Sequence, residues 1–180
     1  INLNELEEWH TYCNQPFPDH PDTNKQKLKF AYNNVVDSTT SILDILKDIA
    51  AAGRASPILK DGKWSVIIDK ERPDIIQHFT PHNSWGFEGT KTIARMPHAL
   101  RCIFRDEAYG FQDNEAVVCH WDYSETPEVH PGTTKPELYE QITIPGVTNS
   151  SAIVDHLQWY YAQVTARAER YTLNTDMEYL

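Results

Sequence analysis

Cysteine and glycine are both scarce in this chain, and each scarcity removes a class of function. Three cysteines in 180 residues, Cys13, Cys102 and Cys119, are too few and too scattered for a disulfide framework or a Cys-x-x-Cys metal site. Seven glycines leave no Gly-rich phosphate loop, and no G-x-S-x-G nucleophile elbow occurs. Positive charge is also in deficit: 16 Lys and Arg stand against 26 Asp and Glu, a net charge of −10, with no basic run. Nucleic-acid affinity comes mainly from clustered Lys and Arg neutralising phosphates, so the balance argues against a phosphate-gripping surface. No apolar run approaches the roughly 20 residues that span a bilayer, and no charged-then-apolar signal segment opens the chain. It reads as soluble and unexported, without a membrane partner.

What is present is enough apolar content, 40% hydrophobic residues, for one sizeable core. Residues 1–25 read as an N-terminal helical arm and linker. Asn4 is placed to cap a short helix with Glu7 three residues on, Leu3, Leu6 and Cys13 share a face, and Pro16, Pro18 and Pro21 end it. Residues 26–180 read as one α+β domain built from two strand–helix–strand units with β-hairpins. Leu28, Phe30 and Tyr32 alternate as a strand. Ser38 stands as N-cap of a helix whose Ile42, Ile45, Leu46 and Ile49 recur at helical spacing, and Gly53 is expected to close it in the left-handed C′ conformation. Asp61-Gly62 between two apolar runs predicts a hairpin with a type I′ turn.

After a short strand at 75–79 and a loop holding Trp85 and Phe87, strands are expected at 99–105 and 115–121, joined by a surface connection. The Thr/Glu/Pro-rich stretch 124–135 reads as a loop. The second unit then runs from a strand at 139–144 through a cap at Asn149 and a helix with Ile153, Leu157, Tyr160, Tyr161 and Val164 on one face, to a strand at 170–175. The two helices are expected to pack on the same β-structure. Ile1 is not a start methionine and the last ten residues read as a strand without a terminating signal, so the chain is expected to be part of a longer protein.

Residues capable of chemistry do not assemble into a reactive pattern. His78 and His82 are four apart, but Pro81 lies between them and the helical ligand spacing of a zincin is absent. His98 follows Pro97 at the start of a strand and reads as structural, and His10, His20, His130 and His156 have no carboxylate or thiol partners at informative spacing. Asp74, Asp106, Glu107, Asp113 and Glu115 could supply a carboxylate pair for glycosidic chemistry, although nothing places two of them in one cleft. Trp64, Trp85, Phe87, Trp121 and Trp159 suit either core packing, the commoner use, or a sugar-binding groove. If strands 99–105 and 115–121 pair symmetrically about Gly110 and Phe111, Cys102 and Cys119 stand opposite each other, as a disulfide or a packed thiol pair. No catalytic residue, cofactor or metal is expected.

A series of motifs carries a resemblance. FTPHNSWGFE at 79–88, MPHALRCIFR at 96–105 and GFQDNEAVV at 110–118 are flanked in order by LKDIAAAGRA at 46–55, DGKWSV at 61–66, PGVT at 145–148 and ERYTL at 169–173. In this order the chain resembles the tail tip proteins of long-tailed bacteriophages, the lambda-type protein J or central tail hub family. The resemblance implies a structural component of a phage or prophage tail tip, part of the hub that closes the tail tube and takes part in host attachment and DNA delivery. It implies other tail tip and tail tube proteins as partners, a trimer in the full-length protein, and DNA met only in transit. It also implies a place in the virion tail, with assembly in the bacterial host cytoplasm, where a reducing environment favours free thiols over a Cys102–Cys119 bond. The alternative is a carbohydrate-binding or lytic module carried on a phage tail. The stretch 123–135 is longer and richer in Pro and Thr than the resemblance leads one to expect.

Overall fold

The computed structural model describes residues 1–15, 30–37, 39–60, 62–72, 75, 77–91 and 96–176. Among them the fold is α+β, with three α-helices and seven strands arranged in three small sheets. The linker expected at 15–25, the Ser38 cap, Asp61 and Asp74 fall wholly or largely outside the described residues.

The core forms where one helix covers one sheet. Strand β4 (Ala99–Asp106) pairs antiparallel with β5 (Gln112–Cys119) and parallel with the short β6 (Tyr139–Gln141). Helix α3 (Ser150–Ala166) lies on this sheet. The Asn149 side chain accepts from Ala152 N–H at 3.2 Å, which starts the helix as expected of an N-cap. One α3 face then buries Ile153 and Leu157 completely, against Leu100, Cys102 and Phe104 from alternate positions of β4. Full burial of such aliphatic side chains stabilises by about 1.5–3 kcal/mol each.

A second, smaller cluster joins the N-terminal elements. Helix α1 (Leu3–Cys13) docks on the hairpin of β1 (Ala55–Lys60) and β2 (Lys63–Ile68): Asn2 N–H donates to Trp64 O at 2.9 Å, and Trp9 Nε1 donates to Gly53 O at 3.1 Å. Leu6 and Trp9 pack on Ala50, Ala55 and Val66. The first helix is therefore part of this cluster, and its N-cap is Asn2 rather than Asn4. The hairpin turns where expected, with Gly62 at φ 71°.

Helix α2 (Ile42–Ala52) leads into β1, and its termini differ from expectation. Its N-cap is Ser41, one turn later than Ser38. Gly53 has φ −102°, and the left-handed residue is Arg54, at φ 51°. The glycine serves closeness instead of handedness, since a Cβ there would lie 2.7 Å from Trp9 Nε1. Arg54 is held in place by its side chain. The buried guanidinium donates through Nη2 to Asp155 Oδ2 at 2.5 Å and Asp155 O at 2.9 Å, between the Phe30 ring at 5.1 Å and the Trp159 ring at 5.0 Å. This interaction ties the α2–β1 junction to α3.

The two expected strand–helix–strand units resolve differently from their sequence pattern. Phe30 and Tyr32 lie in non-strand backbone, so α2 has no leading strand among the described residues, and none forms at 75 or 77–79. Around α3 both flanking strands exist but belong to different sheets: β6 joins β4, whereas β7 (Glu169–Thr175) pairs with β3 (Ser84–Lys91), some 80 residues away. The helices consequently pack on different β-structure, α3 on β4 and β5, α2 on β1. Ala52 is the α2 residue that reaches the main core.

Candidate functional site

Apolar side chains stay exposed where a strand or helix has no layer above it, and among the described residues three elements show this most plainly. The β3–β7 ribbon exposes Trp85, Phe87 and Tyr171. The Phe87 and Tyr171 rings stack at 5.6 Å, and Tyr171 also lies over Gly89, where a Cβ would come within 3.2 Å of its ring. Tyr171 Oη donates to Glu169 Oε2 at 2.5 Å while Lys91 Nζ stands 3.0 Å from Glu169 Oε1. These hydrogen bonds, that from Tyr171 first, lower the Glu169 carboxyl from its ordinary value. On the first hairpin, Leu59 and Trp64 are direct cross-strand partners and both are exposed, as is Ile67. Helix α2 exposes Ile42, Leu43 and Leu46.

The aromatic residues weighed from sequence are thus mostly outside the core. Trp64, Trp85, Phe87 and Trp121 are exposed, contrary to the core-packing expectation, because the first three sit on two-stranded sheets and Trp121 follows the end of β5. Trp159 alone is half-buried, over Arg54. They are spread over several elements instead of lining one groove.

The cysteine pairing geometry is corrected by the register. Cys102 faces Ala116 and Cys119 faces Ala99, a shift of three residues from the symmetrical hairpin. An odd shift puts the two thiols on opposite faces of the sheet. The cause lies in the turn: Asp106 accepts from Ala108 N–H at 2.9 Å and from Asn114 Nδ2 at 2.8 Å, which holds a tight connection through a 3₁₀ turn (Glu107–Tyr109), Gly110 and Phe111. All three cysteines are free thiols. Burial raises each thiol above its ordinary value, Cys13 to about 11, so little nucleophilic thiolate exists at neutral pH.

The candidate carboxylates are engaged locally. Asp106 caps the turn, Asp113 lies 4.0 Å from Arg105, and Glu115 lies 2.7 Å from Arg101. Glu107 accepts from Thr148 Oγ1 at 3.2 Å and Asn149 Nδ2 at 3.3 Å, fastening the β4–β5 turn to the start of α3. His78 and His82 are exposed around the turn at 81–83, where Asn83 Nδ2 donates to His78 O at 3.1 Å. Among the described residues no three His, Cys, Asp or Glu converge as a metal site would require.

A polar-aromatic cluster at one end of the central sheet went unrecognised in the sequence. His98 stacks on Tyr123 at 4.1 Å, and its Nδ1 accepts from the N–H groups of Glu137 and Leu138 at 3.2 and 3.3 Å. Tyr139 Oη donates to Glu125 Oε1 at 2.6 Å, which pushes the phenol up to about 12. Tyr161, pushed up to about 12 mainly by burial, donates to Pro97 O at 3.3 Å. Both phenols stay protonated donors, and they pin the 124–135 stretch and α3 to the sheet end. The hydrogen-bond partners lie 14 to 64 residues apart, so no local motif could disclose them. Compared with known proteins, the chain matches no family model and no curated sequence.

Proposed function

We propose that the chain is a structural component of a phage or prophage tail tip, part of the central hub that closes the tail tube and takes part in host attachment and DNA delivery. The observation that carries this reading is the spread of exposed apolar faces over α2, the first hairpin and the β3–β7 ribbon. A lone two-stranded sheet is marginal in water, and rimmed apolar patches are characteristic of protein–protein contact. A subunit completed by its neighbours would carry such faces. The ordered motifs from 46 to 173 supply the direction of the reading.

The neighbours would be other tail tip and tail tube proteins, with self-association as a trimer in the full-length protein. DNA would be met only in transit, and a net charge of −10 is compatible with a wall that does not retain it. The proposed place is the virion tail, reached from the host cytoplasm during assembly. The role assigned is contact and rigidity, without catalysis or a cofactor.

Particles released from a host carrying the gene provide the test. An antibody against this chain should decorate the distal end of the tail in negative-stain images, and its peptides should appear in the particle's mass spectrum. Absence from purified particles, or decoration of the capsid, overturns the proposal. Trp121, 79% exposed, favours the carbohydrate-directed alternative. Binding or turnover of cell-wall glycans by the purified chain would move the conclusion there.

A further inference from the structure

Strand β4 is eight residues long, yet β6 covers only three of them. Ala99 N–H donates to Leu138 O at 3.2 Å and Arg101 O accepts from Ile142 N–H at 2.9 Å, so the odd-numbered residues of β4 turn their backbone groups toward β6. The β4–β5 ladder runs from Ala99 to Asp106 without a bulge, which carries the same direction on to Ile103 and Arg105. By then β6 has ended. The chain beyond it bows off the edge through the turn at Pro145 and Gly146, and returns where Glu107 N–H donates to Thr148 O at 3.0 Å.

Between those two hydrogen bonds the edge of β4 forms a window of roughly 20 Å at the usual strand rise. It opens on a cleft of about 900 Å³. Among the described residues, the one hydrogen bond to the outward N–H and C=O of Ile103 and Arg105 is from the Cys102 thiol, 3.9 Å from Ile103 O. Three apolar side chains line the opening: Val35, 94% exposed, Phe111, 57%, and Ile103, 45%. Bare edges are ordinarily blunted by proline, a bulge or charged side chains. This one has no proline and no bulge, and the charge of its Arg105 is matched by Asp113 at 4.0 Å.

We propose that this window docks one extended segment of a partner protein, which adds to β4 as a short strand where β6 stops. The edge itself sets the chemistry of the occupant. Two donors and two acceptors repeating every second residue recognise extended backbone, and the apolar lips at Val35 and Phe111 select alternating apolar side chains. At this edge the net charge of −10 favours a neutral or basic strand over a second acidic copy, so the occupant is a neutral or basic segment of a different protein. The inference is independent of the tail reading, since it rests on the β4 edge alone.

Amide exchange of the full chain, followed by NMR, tests it with the peptide acetyl-Lys-Val-Thr-Val-Thr-Val-Lys-amide as probe. In the free chain the Ile103 and Arg105 amides should exchange fast while Cys102 and Phe104, bonded to β5, are slow. Millimolar peptide should slow Ile103 and Arg105 at least tenfold, and the same peptide with every amide N-methylated should not. Arg105→Pro removes an edge donor without touching the β5 ladder and should weaken the peptide about fivefold. Val35→Asp, at an exposed position that leaves the fold intact, should weaken it as well. No slowing with millimolar peptide, equal slowing by the N-methylated form, or unchanged affinity in both variants overturns the proposal. So does protection of the two amides that grows with chain concentration in the absence of peptide, which would assign the edge to a second copy.

Discussion

Helices α2 and α3 both present an apolar stripe at helical spacing, and the cleaner stripe belongs to the helix that buries less of it. Ile153 and Leu157 of α3 are fully buried against β4, whereas Ile42 of α2 is 77% exposed and Leu43 and Leu46 are exposed with it. The difference lies in what each helix finds opposite. Helix α3 meets a three-stranded sheet, wide enough to cover a helical face, while α2 meets the strand β1 and the side of α1 and turns only Ala50 and Ala52 fully inward. An amphipathic stripe states a demand for cover. Whether the same chain meets that demand is decided by the sheet.

The sharpest test of this contrast is truncation inside the covered helix. Leu157→Ala should cost about 4 kcal/mol, read by urea denaturation, because it removes a fully buried side chain and leaves a cavity. A loss below about 1 kcal/mol would show that α3 is not seated as described. The corresponding change in α2 should be much milder. Ile45 is half-buried, so Ile45→Asp is expected to cost about 1 kcal/mol, since part of the carboxylate stays hydrated. From the sequence alone the same substitution promises several. A cost as large as that of Leu157→Ala would mean that the α2 stripe is covered in solution.

The smallest effect comes from two groups held neutral, Cys13 at the end of α1 and Tyr161 in α3. Cys13 is raised to about 11 and Tyr161 to about 12, both chiefly by burial. Each raised acid binds its proton more tightly when folded, so its stabilisation is complete below the unfolded value, near 9 for the thiol and 10 for the phenol, and is lost as pH rises through the folded value. Thermal melts should therefore be insensitive to these groups at pH 7–8 and fall progressively from pH 9 to 12. Cys13→Ala should flatten the first part of that fall, and Tyr161→Phe the later part. A fall unchanged in both variants would locate the alkaline sensitivity elsewhere.

Legibility in the sequence followed the range of the interaction. The hairpin around Gly62, both helices, the Asn149 cap and the final strand were readable because each rests on contacts within a few residues. Register was not. Sequence symmetry about Gly110 and Phe111 set Cys102 opposite Cys119, but the Asp106 carboxylate tightened the turn and moved the pairing by three residues. Arg54 was equally hidden, because its left-handed backbone is held by Asp155, 101 residues away.

By itself, then, the sequence determined the helices, the first hairpin, the strands at 99–119 and the final strand, the acidic balance, and the α+β class, since propensity, capping and charge act locally. By contrast, Phe30 and Tyr32 and residues 77–79 form no strand, and the loop expected around Trp85 and Phe87 is strand β3. The tertiary structure alone decided partnership. It placed β7 against β3 instead of β6, left the aromatic residues of β3 uncovered, and ended β6 before β4 was fully paired. Strand edges and apolar faces are interchangeable in one dimension, because the same alternation suits any sheet. Only the three-dimensional path of the chain settles which edges it closes itself and which it leaves open.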